Sequence, residues 1–234
     1  MHRTHIPDWT FERGKALNNF ATFDLSKTAL LVIDMQNLFV HEDQPMGNPH
    51  ARDIVPNINR IVRSVRDGGG HVIWIRHTFS DKAPFAIPNW QMSPENGWVA
   101  LGREVLRPGQ FAHDVYGKLD CNPADMTIDK HRASAFELNS SDLGVRLKDA
   151  GIETIIVTGT YTNACCESTA RSASMLDYKV LFAADATATA TDEEHNAALL
   201  NLRLCFADVI FTDELLRRID ASHAVVRSRS ALPA

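Results

Sequence analysis

Six short apolar runs, separated by helix-forming stretches, limit this chain more than any other feature. They read TALLVID (28–34), HVIWIRH (71–77), DMTIDK (125–130), ETIIVTG (153–159), KVLFAAD (179–185) and DVIFT (208–212). Runs this short and this apolar predict strands buried on both faces, as in a parallel sheet. Between them lie amphipathic patterns. Ile58, Ile61, Val62 and Val65 keep helical spacing from about Val55 and are closed by Gly68–Gly70. SDLGVRLKDAG stops at Gly151, and TDEEHNAALLNLRLCF and DELLRRI follow the last two runs. Strand and helix in alternation specify βαβ units, and hence an α/β fold: a Rossmann-like open sheet with helices on both faces.

A chain of 234 residues suits one domain. The expected division is an N-terminal arm at 1–27, a single domain at 28–220 and a fraying tail at 221–234. Residues 78–124, rich in Pro, Gly and Trp, read as a long irregular segment, which in a compact domain is more often functional than idle. The net charge of −5, without a basic run, argues against nucleic-acid binding. No apolar run approaches a membrane span, and the N-terminal residues lack a secretory apolar core. Cys121, Cys165, Cys166 and Cys205 read as free thiols of a cytoplasmic protein.

In an open α/β sheet the chemistry sits beyond the carboxyl ends of the strands. Three strand ends carry reactive groups: Asp34, Lys130 after Asp129, and the run GTYTNACCESTAR (159–171). A carboxylate, an ammonium and a thiol at one sheet edge are the parts of an activated-thiol hydrolase. A helix start after the fourth strand, capped by Thr162 or Asn163, would bring unsatisfied N–H groups to the thiol. Periodicity does not separate the two adjacent cysteines. Electrostatics favours Cys165, nearer the turn, with Cys166 as a buried packer. Each group also has a structural alternative: core packing for a cysteine, a turn cap for Asp34, solvation for Lys130.

LLVIDMQNLF, IDKHRASAF and VTGTYTNACCESTARSA resemble the signature segments of the isochorismatase-like cysteine hydrolases, in order, over about Thr28 to Ile219. The resemblance implies a three-layer α/β/α fold with a six-stranded parallel sheet. It implies a triad of Asp34, Lys130 and Cys165, an oxyanion hole from the Tyr161 and Cys165 amides, a cis peptide between Thr160 and Tyr161, and homo-oligomers, dimeric or tetrameric. Members that cleave isochorismate need no cysteine nucleophile. Nicotinamidases carry a D-x-H…H metal site after the second strand, where this chain reads IRHTFSDKAP, so neither metal nor other cofactor is expected. The implied activity is cysteine-dependent hydrolysis of a C–N bond in a small amide or ureide, such as ureidoacrylate-, N-carbamoyl- or biuret-like compounds, through a thioester. The alternatives are an aryl or cyclic amidase of nicotinamidase type, or a non-hydrolytic thiol-redox or ligand-binding protein. A dinucleotide site is disfavoured, because Gly68–Gly70 precede a strand and no G-x-G-x-x-G opens a helix. Asn37, Phe39, His77, Trp90 and Phe136 are the expected substrate contacts, with Trp98 as a further candidate for a lid. His77 can instead cap its strand, the aromatics can be packing or interface residues, and His195 reads as structural.

Overall fold

The computed structural model describes residues 1–14 and 19–230, the side chains through His223. Six parallel strands form one sheet in the order β3-β2-β1-β4-β5-β6: β1 Thr28–Ile33, β2 His71–His77, β3 Met126–Lys130, β4 Thr154–Thr160, β5 Lys179–Ala188 and β6 Asp208–Ile210. The apolar runs become strands because alternate side chains enter different cores. Leu30 and Val32 of β1 join Val72, Trp74, Ile156 and Leu181 on one face. Ala29, Leu31 and Ile33 join Ile73, Ile75 and Val157 on the other.

Helices cover both faces. α4 (Val55–Asp67) buries Ile58, Ile61, Val62 and Val65, the residues whose spacing predicts it. It shares its face with α9 (Thr212–Ser230), while α6 (Leu143–Asp149), α7 (Glu167–Met175) and α8 (Asp192–Cys205) supply the opposite core. α8 starts with a capping box: Thr191 Oγ1 accepts from the Glu194 amide and Glu194 accepts from the Thr191 amide. α1 (Asp8–Gly14), in the expected arm, lies on α8; a Cβ at Gly14 would stand 2.6 Å from the Arg203 carbonyl oxygen. Two short helices, α2 (Asn37–Val40) and α3 (Pro49–Asp53), lead from β1 to α4.

The long segment between β2 and β3 is not wholly irregular. It holds α5 (Gly97–Val105), started by Asn96, whose side-chain oxygen accepts from the Trp98 amide at 3.1 Å. Apolar periodicity is weak there because α5 fully buries only Gly102. α9 continues through Ser230, across the expected boundary at 220, and residues 231–234 lie outside the described ones. No helix among the described residues is long and apolar enough to cross a membrane.

Candidate active site

The strand order reverses direction at β1. The chain steps from β1 outward to β2 and β3, then crosses back to β4 on the far side of β1. The crevice at the carboxyl ends of β1 and β4 is the topological switch point, where such sheets bind ligands. Asp34 follows β1 directly, with φ 51°. Aspartate is among the few residues that tolerate this left-handed turn. Gly159, paired with Ile33, has φ 116°, and a Cβ there would lie 2.1 Å from the Ile33 carbonyl oxygen. Only glycine fits between β1 and β4 at that point. The peptide between Thr160 and Tyr161 is cis, as the resemblance implies.

The turn after β4 differs from the expected α-helical start. Residues Thr162–Cys166 form a π-type turn before α7 begins at Glu167. Neither Thr162 nor Asn163 caps it. Thr162 Oγ1 hydrogen-bonds His195 Nδ1 at 3.0 Å, and Asn163 accepts from Thr189 Oγ1 at 2.6 Å. The wider turn separates the two sulfurs. Cys166 is fully buried in the core, whereas Cys165 faces the cavity. The Tyr161 carbonyl accepts from the amides of Ala164 and Cys166.

Lys130 ends β3, two strands from β1, and its side chain is completely buried. Its ammonium lies 2.9 Å from Asp34 Oδ2, 3.2 Å from Cys165 Sγ, 3.2 Å from His77 Nδ1 and 3.1 Å from the Arg132 carbonyl oxygen. Asp34 Oδ1 is buried without a hydrogen-bond partner among the described residues. Burial raises the Asp34 carboxyl above its ordinary value, against the pull of Lys130. Burial also works against the Lys130 charge, yet Asp34 and Cys165 hold its pKa above the usual lysine value. The Cys165 thiol is pushed up to about 12 by burial and then by Asp34, although Lys130 opposes this. The resting sulfur therefore keeps its proton. Burial, then the Lys130 charge, hold His77 neutral. Since its Nδ1 faces an ammonium that can only donate, its hydrogen is on Nε2.

A cavity of about 150 Å³ opens onto Asp34, His77 and Cys165. Phe39, Met46 and Tyr161 form one part of its wall; Phe79, Trp98, Val99, Gly102 and Leu106 form another. A larger depression of about 800 Å³, lined in part by Gly144, Gly151 and Lys179, lies at the opposite ends of the strands and holds none of these three groups. Three expected contacts lie off this cavity. Asn37 opens α2, which turns its amide to the Phe111 carbonyl oxygen at 2.8 Å, away from the cavity. Phe136 follows a turn beyond β3 and packs on Tyr178, ring centres 5.7 Å apart. Trp90 is 86% exposed and does not line the cavity. Phe39 and His77 do line it, as does Trp98. Met46, Phe79 and Leu106 went unanticipated in sequence because each lies on a loop or helix end whose path periodicity does not give.

Among the described residues, metal-ligating types converge twice. Asp34, His77 and Cys165 offer ligand atoms within 4.8 Å of one another, but the Lys130 ammonium already contacts all three. A cation would have to displace it. The residues after β2 do not fit a metal site of nicotinamidase type either: Thr78 Oγ1 bonds His113 and Asp81 pairs with Arg107. At the second place His2, His50 and Asp192 converge. His2 Nδ1 faces Asp192 at 2.8 Å, its Nε2 accepts from the Thr189 amide at 3.0 Å, and its ring stacks on His195. Both of its nitrogens are engaged.

A parallel sheet with a carboxylate, an ammonium and a thiol at its switch point defines a class of thiol hydrolases. Residues 28–214 match the isochorismatase domain model, and the chain belongs to that family. It is 33% identical to the uncharacterized isochorismatase family protein YwoC of Bacillus subtilis over 77% of this chain and 88% of that one. It is also 33% identical to nicotinamidase 3 of Arabidopsis thaliana, over 82% of this chain and 88% of the relative. A crystallised cysteine hydrolase from Pseudomonas syringae pv. phaseolicola superposes with a TM-score of 0.78 at 25% identity, over 88% of this chain and 98% of the other.

Proposed function

We propose that this isochorismatase-family hydrolase is a cysteine-dependent amidohydrolase that cleaves a C–N bond in a small amide or ureide. The observation that carries the reading is the Lys130 ammonium, 2.9 Å from Asp34 and 3.2 Å from Cys165, beside a cavity open to the sulfur.

Asp34 Oδ1, buried and unpartnered, takes the proton from Cys165 Sγ, which lies within 4.8 Å of the carboxylate, as the sulfur attacks the carbonyl carbon. The proton moves with the attack because a thiol at about 12 supplies little thiolate beforehand. The oxygen of the tetrahedral intermediate is held by the amides of Tyr161 and Cys165; one such donor is worth about 3–4 kcal/mol. Lys130 keeps its charge throughout and offsets the negative charge that passes between sulfur and Asp34. Collapse breaks the C–N bond, and Asp34 gives its proton to the leaving nitrogen. Asp34 then removes a proton from water, which attacks the thioester. The departing sulfur recovers that proton, leaving a carboxylic or carbamic acid and the enzyme unchanged.

A second reading within the same chemistry, an aryl amide, is supported by the similarity to a nicotinamidase. The test of the shared mechanism is ammonia release from a panel of small amides and ureides, with mass spectrometry of the intact protein during turnover. The expected result is an acyl adduct on Cys165 and no release by Cys165→Ala. Undiminished release by that variant refutes the mechanism.

A further inference from the structure

The cavity walls bear on which acyl group this site accepts, and the argument rests on the amidohydrolase reading above. Apart from the reacting groups, the wall is hydrocarbon, aromatic ring or thioether: Phe39, Met46, Phe79, Met92, Trp98 and Leu106 surround Cys165. Among the described residues on the wall, His77 and Trp98 are the other side chains that carry a nitrogen, and His77 is neutral. Among the described residues, the ammonium at the floor is Lys130, which already faces Asp34, Cys165, His77 and a carbonyl.

The guanidinium groups of this region are committed elsewhere. Arg132 donates to the carbonyl oxygens of Phe85, Ala86 and His131 at 2.9, 3.0 and 2.7 Å. Arg103 donates through its terminal nitrogen to the Ile87 and Met92 carbonyls at 3.3 and 2.9 Å, with its Nε buried and unpartnered, and Arg107 pairs with Asp81. None of the three lines the cavity. A carboxylate on the substrate would enter a space with Asp34 at its base and, among the described residues, no cation on its wall. Burying an unpaired charge in apolar surroundings is among the most costly things a site can do.

We propose that the acyl pocket selects small, uncharged amides with an apolar acyl group, aliphatic or aryl, and rejects those carrying a carboxylate. The volume sets the size. About 150 Å³ of apolar cavity accommodates a benzene ring in other proteins, so a phenyl or short branched alkyl group fits and a longer chain does not. Gly102 of α5 helps to set this limit, because a Cβ there would stand 3.2 Å from the Phe79 ring. N-Carbamoyl amino acids and ureidoacrylate-like acids, admitted by the sequence reading, are the compounds this wall excludes.

The test measures kcat/KM for ammonia release by the wild-type protein from isobutyramide and benzamide, and from N-carbamoylglycine and maleamate. The uncharged pair is expected to exceed the anionic pair by at least about 100-fold, given the cost of an unpaired buried charge. Val99→Lys, which adds a cation to the wall, should narrow that gap at least about tenfold by giving the carboxylate a partner. Anionic compounds turned over as fast as the uncharged ones, or a gap unmoved by Val99→Lys, overturn this inference and leave the amidohydrolase reading standing. Cys165-dependent release from neither pair overturns both together.

Discussion

Gly159→Ala should damage this protein more than any other single methyl group added to the sheet. The position pairs with Ile33 between the two central strands, one residue before Thr160 and opposite the start of the Asp34 turn. Its φ of 116° lies where side chains other than hydrogen are disfavoured. The added carbon would stand 2.1 Å from the Ile33 carbonyl oxygen, 2.7 Å from its nitrogen and 2.8 Å from its carbonyl carbon. All three are backbone atoms, so no rotamer change relieves the contact. Strained backbone costs about 1–3 kcal/mol, and overpacking of a well-filled interior adds about as much again. The expected loss is about 2–6 kcal/mol, or roughly 4–24 °C in the thermal midpoint for a domain of this size.

A control isolates the steric part. Gly151 has a φ of 66°, with nothing within 4 Å of an added Cβ. Gly151→Ala carries the backbone penalty alone, about 1–2 kcal/mol. Thermal unfolding of both variants, followed by circular dichroism, decides between them. Equal losses would show that the close approach of β1 and β4 is not what demands glycine. A Gly159→Ala midpoint within about 2 °C of wild type, less than the shift expected from 1 kcal/mol, would refute the packing argument altogether.

Asp34→Asn should lower kcat at least about 1000-fold while the protein stays folded, which intact circular dichroism checks. Lys130→Met should cost about 3–5 kcal/mol because it strands the buried Asp34 charge, and the double variant Asp34→Asn/Lys130→Met should recover part of that loss in chemical denaturation. The acid limb of kcat/KM should fall above the ordinary carboxylate range, since burial raises Asp34 and only its ionised form accepts the thiol proton; a limb at or below pH 4, the unshifted aspartate range, contradicts this. His195 should impose acid lability. Its folded value is lowered to about 3, so its contribution is fully present above the unfolded value of about 6.5 and is lost as pH falls towards 3. Between pH 6.5 and 5 that is about 2 kcal/mol, readable as a loss in urea unfolding that His195→Gln reduces.

The parts of this architecture legible in sequence are those fixed by one-dimensional pattern. Strands buried on two faces show as apolar runs, and α4 shows as Ile58, Ile61, Val62 and Val65 because those residues meet the sheet. Strand ends locate Asp34, Lys130 and Cys165, since a parallel sheet brings all its carboxyl ends to one edge. The cavity wall is different. Trp98, Val99, Gly102 and Leu106 reach it together because α5 and the turn after it present them on one side. That helix is short, holds two glycines and buries little, so its periodicity is faint. Trp90, in the same segment but before the helix, points to solvent. Phe136 lies off the cavity because the chain turns after Lys130, and alternation along β3 no longer says where a side chain goes.

The reach of Lys130 explains why strand order matters to the chemistry. β3 lies two strands from β1, and neighbouring strands are about 4.8 Å apart, so the ammonium must cross roughly 10 Å of sheet edge to meet Asp34. Aspartate contributes little of that span. The long lysine stem crosses above the end of β2, where His77 Nδ1 and the Arg132 carbonyl receive two of its hydrogens. His77 must stay neutral for this, since a protonated ring would repel the ammonium, and its burial beside Lys130 keeps it so. The strand between carboxylate and ammonium is therefore part of the site. It supports the cation and fixes the imidazole tautomer, so that one buried charge both answers Asp34 and holds the ring neutral.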